Sequence, residues 1–144
     1  MEIKKASTQE DFIKCFNVIH ELRTHLTLET FLSSLEEMKN EKYNLIYVQD
    51  NSKPVSALGY RYVTTLYNGP IIYIDDLVTL VEARGKGYAG ILFNYVVEIA
   101  KKENIETIHL DSNHARYDAH RLYLNKKMKI LAHHFRLEVL EIEN

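Results

Sequence analysis

Three of the five glycines in this chain fall within six residues, at Gly85, Gly87 and Gly90, interleaved with the cations Arg84 and Lys86. Glycines so placed let successive backbone N–H groups turn toward one spot. The helical apolar spacing that follows adds the positive end of a helix dipole. Together they describe an anion cradle suited to a pyrophosphate. Just upstream, Asp75 and Asp76 place two carboxylates on a strand, a residue type able to accept a proton from an amine. Neighbours on a regular strand point to opposite faces, so the alternation predicts that at most one of the two faces a substrate directly.

The glycines satisfy a second fingerprint as well. Gly85, Gly87 and Gly90 spell G-x-G-x-x-G, and Asp111 follows about twenty residues later at the end of the next strand, as in a dinucleotide-binding turn. Three features oppose that reading. Asp75, Asp76 and Thr79 are awkward on a parallel strand covered on both faces. The four residues Val81-Glu82-Ala83-Arg84 separate Leu80 from Gly85, where a dinucleotide turn is tighter. Only 33 residues follow Asp111, too few for a second nucleotide-binding half. A phosphate-binding loop of the Walker type fails outright, because Gly87 follows Lys86 where a magnesium-binding Ser or Thr is needed.

Other chemistry is poorly supported. Cys15 is the sole cysteine and sits among Phe12, Phe16 and Ile19 at helical spacing, which reads as core, with nothing to orient it toward a base. His133 and His134 are neighbours on a segment with strand character, and His109, His114 and His120 lack ligand spacing, so no metal site emerges. A net charge of -2 without a basic run argues against nucleic acid, and no apolar stretch nears the roughly 20 residues of a membrane span. The first twelve residues have no apolar core of a signal peptide, which leads us to expect a cytoplasmic protein. A length of 144 residues with 46% hydrophobic side chains fits one domain spanning 1–144.

The elements that must position these groups follow from periodicity. Glu2 to Lys5 reads as a short strand, and Ser7 with Glu10 forms a capping box ahead of Phe12, Phe16, Ile19 and Leu22. Thr27 caps a second helix carrying Phe31, Leu35 and Met38. Tyr43 to Val48, Val55 to Leu66 and Ile71 to Leu80 form an antiparallel meander joined by short turns. A helix from about Gly87 to Lys102 precedes a buried strand, Thr107 to Leu110. Asp118 caps a short helix, and Lys129 to Val139 closes the chain as one or two strands. The sum is an α/β (α+β) domain.

The segment Asp75-Asp76-Leu77-Val78-Thr79, followed by Arg84-Gly85-Lys86-Gly87-Tyr88-Ala89, resembles the acyl-coenzyme A signature of the GNAT superfamily of N-acetyltransferases. The order of elements resembles that fold along essentially the whole chain. Arg116-x-x-Ala119-His120-Arg121-Leu122-Tyr123 is similar to an R-x-x-A-H-R-F-Y motif of a bacterial subgroup, as are Lys127-Met128 and His134-Phe135 apart from lysine in place of glycine. The resemblance implies an acyl-CoA N-acyltransferase fold, a mixed central sheet of about six or seven strands with about four helices.

It also implies roles. The backbone of Leu77, Val78 and Thr79 would hold pantetheine beside a bulge, and Arg84, Gly85, Lys86, Gly87, Tyr88 and Ala89 would wrap the pyrophosphate of acetyl-CoA, the co-substrate. An N–H in the 77–79 stretch would polarise the thioester carbonyl. Tyr123, a phenol with an ordinary pKa near 10, would reprotonate the leaving thiolate. Asp75 or Asp76 would serve as base, directly or through water, with substrate anchoring as the competing role.

The leading expectation is therefore an N-acetyltransferase that moves acetyl from acetyl-CoA to a primary amine by direct attack. A non-catalytic acyl-CoA sensor and, behind it, a dinucleotide-binding oxidoreductase are the alternatives. The acceptor, a small-molecule or peptide amine, would meet the chain around His20 to Leu35 and near Tyr60, Arg61 and Tyr67. Family habit admits a homodimer.

Overall fold

In the computed structural model, which describes residues 2–142, five strands form one sheet in chain order. β1 (Ile3–Lys5), β2 (Tyr43–Asp50), β3 (Lys53–Thr65) and β4 (Gly69–Thr79) run antiparallel, while β5 (Ile108–Leu110) lies parallel to β4. A meander of this kind is foreign to a doubly wound dinucleotide domain, whose strands are mostly parallel.

α1 (Gln9–Leu22) starts one residue later than the Ser7–Glu10 box predicts. Thr8 Oγ1 accepts from the Asp11 N–H at 3.1 Å, and Asp11 Oδ2 accepts from the N–H groups of Thr8 and Ser7. The sequence offers two overlapping boxes, and the one that adds Ser7 as a third donor forms. α1 buries Cys15, Val18 and Ile19, and α2 (Leu28–Met38) buries Phe31 and Leu35, with Phe31 and Phe16 in ring contact at 5.4 Å. α3 (Tyr88–Lys102) buries Leu92, Phe93, Val96 and Ala100. Tyr62 of β3 lies beside Glu103 just past α3, whereas the alternate residue Arg61 points toward the α1 side, so α1 and α3 cover opposite faces of the sheet.

The β3–β4 ladder slips at one step. Gly59 pairs with Asp76 and Tyr60 with Ile74, which leaves Asp75 as the extra residue of a β-bulge. β5 pairs only with Ile72 to Ile74, so β4 from Asp75 to Thr79 has no strand beside it on that edge.

One compact unit runs to Leu110 and a second begins at Asp111. The second contains α4 (Tyr117–Asn125), which ends in a Schellman turn: Met128 N–H donates to the Tyr123 carbonyl and Lys127 N–H to that of Leu124. Lys127 stands there at φ 67°, in the left-handed region where a glycine is free of strain. The turn thus survives the lysine. The closing strands expected over 129–139 are not formed: after Lys129 the only regular element among the described residues is a 3₁₀ turn, Val139–Glu141. Five strands therefore stand where six or seven were expected. Alternation such as Phe135, Leu137 and Val139 marks strand potential, but a strand exists only with a laddered partner, and here those side chains are exposed. Among the described residues, no helix is long and apolar enough to cross a membrane.

Candidate functional site

The bulge overturns the expectation that Asp75 and Asp76 face opposite ways. Asp76 shares the face of its partner Gly59, and so of Arg61 and Tyr43, which pair across β3 and β2. Asp75 reaches the same face because the extra residue resets the alternation. Asp75 consequently meets Arg61, and Asp76 meets Tyr43 and Arg23, which follows α1.

Their surroundings are nevertheless unequal. Asp76 Oδ1 accepts from Arg23 Nε at 2.9 Å and Oδ2 accepts from the Tyr43 hydroxyl at 2.7 Å. Both oxygens are committed. Burial, with the Asp76 charge beside it, holds the Tyr43 phenol well above its usual range, so it stays a donor. Arg23 Nη2 also donates to the Asp75 carbonyl at 2.8 Å, tying down the bulged residue.

Asp75 Oδ2 lies 3.1 Å from Arg61 Nε, yet neither atom is aligned to hydrogen-bond. Arg61 is also shared with Glu41 at 3.5 Å and with the Tyr73 ring at 5.5 Å. Burial raises the Asp75 carboxyl to about 6, with Arg61 opposing and Asp76 reinforcing the rise. Asp75 is thus a partly compensated carboxyl raised toward neutrality.

Downstream, the side chains of Leu77 and Val78 pack in the core while their backbone runs along the open edge of β4. Buried Ser56 hydroxyl donates to the Val78 carbonyl at 3.1 Å and lies 2.8 Å from Thr79 Oγ1, fixing that edge from the β3 side. In the loop, Gly85 and Gly87 adopt φ values of 79° and 83°, and a Cβ on either would meet nothing within 4 Å. Gly87 is the N-cap of α3 and supplies no side-chain cap, so the first N–H groups of the helix have no side-chain acceptor there. Arg84 is exposed, its Nη2 3.9 Å from Glu21 Oε2 and its Nε donating to the Thr79 carbonyl at 3.4 Å. Lys86 is exposed, and Tyr88 turns its ring into the core, leaving its backbone at the loop together with that of Ala89. Open space before two left-handed glycines, an uncapped helix and two exposed cations fit a pyrophosphate.

Tyr123 lies in the second unit, where burial raises its phenol and Arg116 partly opposes the rise. His120 places a ring nitrogen 2.9 Å from the Asn113 carbonyl, a contact that shapes the loop before α4. Tyr60 is buried against the α3 side and Tyr67 sits exposed at the β3–β4 turn, so of those expected acceptor-side residues only Arg61 meets the carboxylates. Cys15 is buried with its thiol pushed up to about 12, and the described residues contain no three-residue metal cluster. A surface groove of about 610 Å³ lined by Lys4, Asp11, Lys14 and Tyr47 includes none of the predicted site residues.

Sequence reasoning reaches Arg23 only as part of the broad acceptor span His20 to Leu35, and it misses Tyr43. Neither belongs to a motif, and only the ladder register and the end of α1 bring them to Asp76.

A model of the acetyltransferase (GNAT) family matches residues 6–128. The chain is 32% identical over 127 residues to the uncharacterized N-acetyltransferase YhdJ of Bacillus subtilis (strain 168), covering 88% of this chain and 89% of that protein. Among solved structures, a Bacillus halodurans C-125 protein described as a transcriptional regulator superposes with a TM-score of 0.81 at 20% identity, covering 95% and 99% of the two chains. A predicted acetyltransferase from Clostridium acetobutylicum, solved with acetyl-CoA, gives a TM-score of 0.77 at 17% identity with 99% of each chain covered. These likenesses establish the acetyltransferase fold.

Proposed function

The chain belongs to the GNAT family of acetyltransferases, and from that premise we propose that it transfers acetyl from acetyl-CoA to a primary amine by direct attack. The observation that carries the proton chemistry is the Asp75 carboxyl, raised to about 6 beside the open edge of β4. Near neutral pH it is ionised, and still basic enough to relieve an ammonium group of its proton as the amine attacks. Asp76, with both oxygens engaged, anchors the site instead.

When bound, acetyl-CoA supplies an activated acetyl thioester. The backbone of Leu77, Val78 and Thr79 would receive pantetheine, with an N–H of that stretch directed at the thioester carbonyl. Arg84, Gly85, Lys86, Gly87, Tyr88 and Ala89 would hold the pyrophosphate through N–H groups and cations. The amine nitrogen gains a bond to the acetyl carbon as the carbon–sulfur bond breaks. Asp75 takes the amine proton, and Tyr123 returns one to the sulfur.

Two measurements test the proposal. Coenzyme A at about 100 times its dissociation constant should stabilise the fold by roughly 2.7 kcal/mol, while NAD should not stabilise it. Thiol release from acetyl-CoA, followed over a panel of amines and peptides, should then identify at least one acceptor. No thermal shift with coenzyme A would overturn the proposal. A shift with no acceptor turned over would favour an acyl-CoA sensor on the same fold.

A further inference from the structure

Asp75 and Asp76 are adjacent carboxylates on one face, and something must keep them from sharing one proton indifferently. We propose that Arg23 is the positioning residue that divides their roles, binding Asp76 through Nε while its Nη2 holds the Asp75 carbonyl, so that Asp75 alone is left to exchange protons. This rests on the reading of Asp75 as the base.

The geometry is specific to a guanidinium. Two N–H groups of one planar fork reach a carboxylate oxygen of one residue, at 2.9 Å, and the backbone carbonyl of its neighbour, at 2.8 Å. The carbonyl belongs to the bulged residue that pairs with nothing on β3. Arg23 therefore neutralises one aspartate and pins the backbone of the other. It can do so because it is the C-cap of α1, where the helix ends and its side chain is free to turn to the sheet. Tyr43 completes the arrangement by donating to the remaining oxygen of Asp76.

The charged and titratable groups around Asp75 are Arg61 from β3, Glu41 behind Arg61, Tyr43 from β2, Asp76 on β4 and Arg23 after α1. Arg23 and Asp76 act on Asp75 in opposite directions, which gives a test by sign. The carboxyl carbon of Asp75 is followed by NMR against pH in protein labelled at aspartate carboxyl carbons, for the native chain, Arg23→Gln, Arg23→Lys and Asp76→Asn. Arg23→Gln removes a cation and leaves Asp76 unneutralised, so the Asp75 midpoint should rise by about one pH unit. Asp76→Asn removes an anion and should lower it by a similar amount. Arg23→Lys keeps the charge but loses the fork, so its midpoint should fall between those of the native protein and Arg23→Gln.

Midpoints that coincide in the native protein and the variants, or that move in the same direction in Arg23→Gln and Asp76→Asn, overturn the proposal. If Arg23→Gln does not fold, Asp76→Asn and Arg23→Lys still decide it: the Asp76→Asn midpoint must fall below native and the Arg23→Lys midpoint must rise above it. The readout needs no acceptor amine. A failure to turn over acetyl-CoA would therefore refute the proposed function without moving these midpoints, and the two readings fail separately.

Discussion

Tyr43 lies across Gly59, so closely that a Cβ on Gly59 would collide with the phenol ring and hydroxyl. Gly59 is not in the left-handed region, so it is needed for space and not for conformation. It clears the path by which Tyr43 on β2 crosses β3 to reach Asp76 on β4. Gly59→Ala should displace the ring and destabilise the protein by about 1–3 kcal/mol, an overpacking effect. It should also release one oxygen of Asp76. Urea unfolding gives the first quantity, and a Gly59→Ala midpoint equal to native would show that the ring moves aside freely.

Asp75 links activity and stability to pH with opposite signs. Its carboxyl rises from 3.8 to about 6, chiefly through burial, so the folded protein holds that proton more tightly than the unfolded chain. The stabilisation this brings is complete below pH 3.8 and is lost as pH rises through about 6. Asp75→Asn has no such loss, so its melting temperature should gain on that of the native protein between pH 4 and pH 7. In activity the order reverses: native kcat/KM should fall as pH drops through about 6. Asp75→Asn should lose about 10²–10⁴-fold in turnover along with that acid limb. An unchanged limb in the variant would assign the proton to another group.

The contrast between these aspartates shows what sequence can and cannot reveal. Glycine spacing, two cations and the helical pattern after them locate the left-handed loop that opens α3, the loop proposed for the coenzyme, because φ preference and backbone access are local properties. The Asp pair is visible too, but strand alternation assigns its facing wrongly. A bulge is a property of two strands in register: the resemblance implies one beside 77–79, but alternation alone does not show that Gly59 and Tyr60 step over Asp75. The contacts of Arg23 and Tyr43 with Asp76 are invisible for the same reason, since those residues lie 53 and 33 positions from it. The end of the chain errs the other way: Phe135, Leu137 and Val139 carry a strand pattern, and pattern alone cannot supply the ladder.

The coenzyme loop can be tested through its backbone. Gly87 holds φ 83° as the N-cap of α3, and an alanine methyl there would meet nothing within 4 Å to oppose it sterically. Gly87→Ala should therefore cost about 1 kcal/mol, from left-handed strain alone. Where the loop relaxes to avoid that strain, its N–H groups turn away from the phosphates, and coenzyme A affinity should drop at least tenfold by calorimetry. Affinity equal to native would remove Gly87 from the site.

Lys127 offers a stability test independent of the site. At φ 67° it occupies the left-handed position of the turn that ends α4. Lys127→Gly removes about 1–2 kcal/mol of strain, offset by about 0.4–1 kcal/mol from the greater freedom of the unfolded chain. A net gain of up to about 1.6 kcal/mol is expected in urea unfolding, with coenzyme A affinity unchanged. A loss of stability would mean that the lysine side chain makes a contact worth more than the strain.

Tyr123 separates an enzyme from a sensor. Burial raises its phenol, Arg116 only partly opposing, so it is protonated throughout the pH range of an ordinary assay. A group in that state can give a proton to a leaving thiolate but cannot take one from an ammonium. Tyr123→Phe should therefore lower kcat by about 10²-fold or more while leaving the dissociation constant of coenzyme A unchanged. The acid limb near pH 6 should persist in the residual activity, since the base proposed for it is Asp75. Replacing the amine acceptor by one of lower pKa should not restore the loss, because the missing proton is needed at sulfur and not at nitrogen. A variant that keeps full turnover would release Tyr123 from the reaction, and a variant that loses coenzyme A binding would make the phenol part of the packing instead.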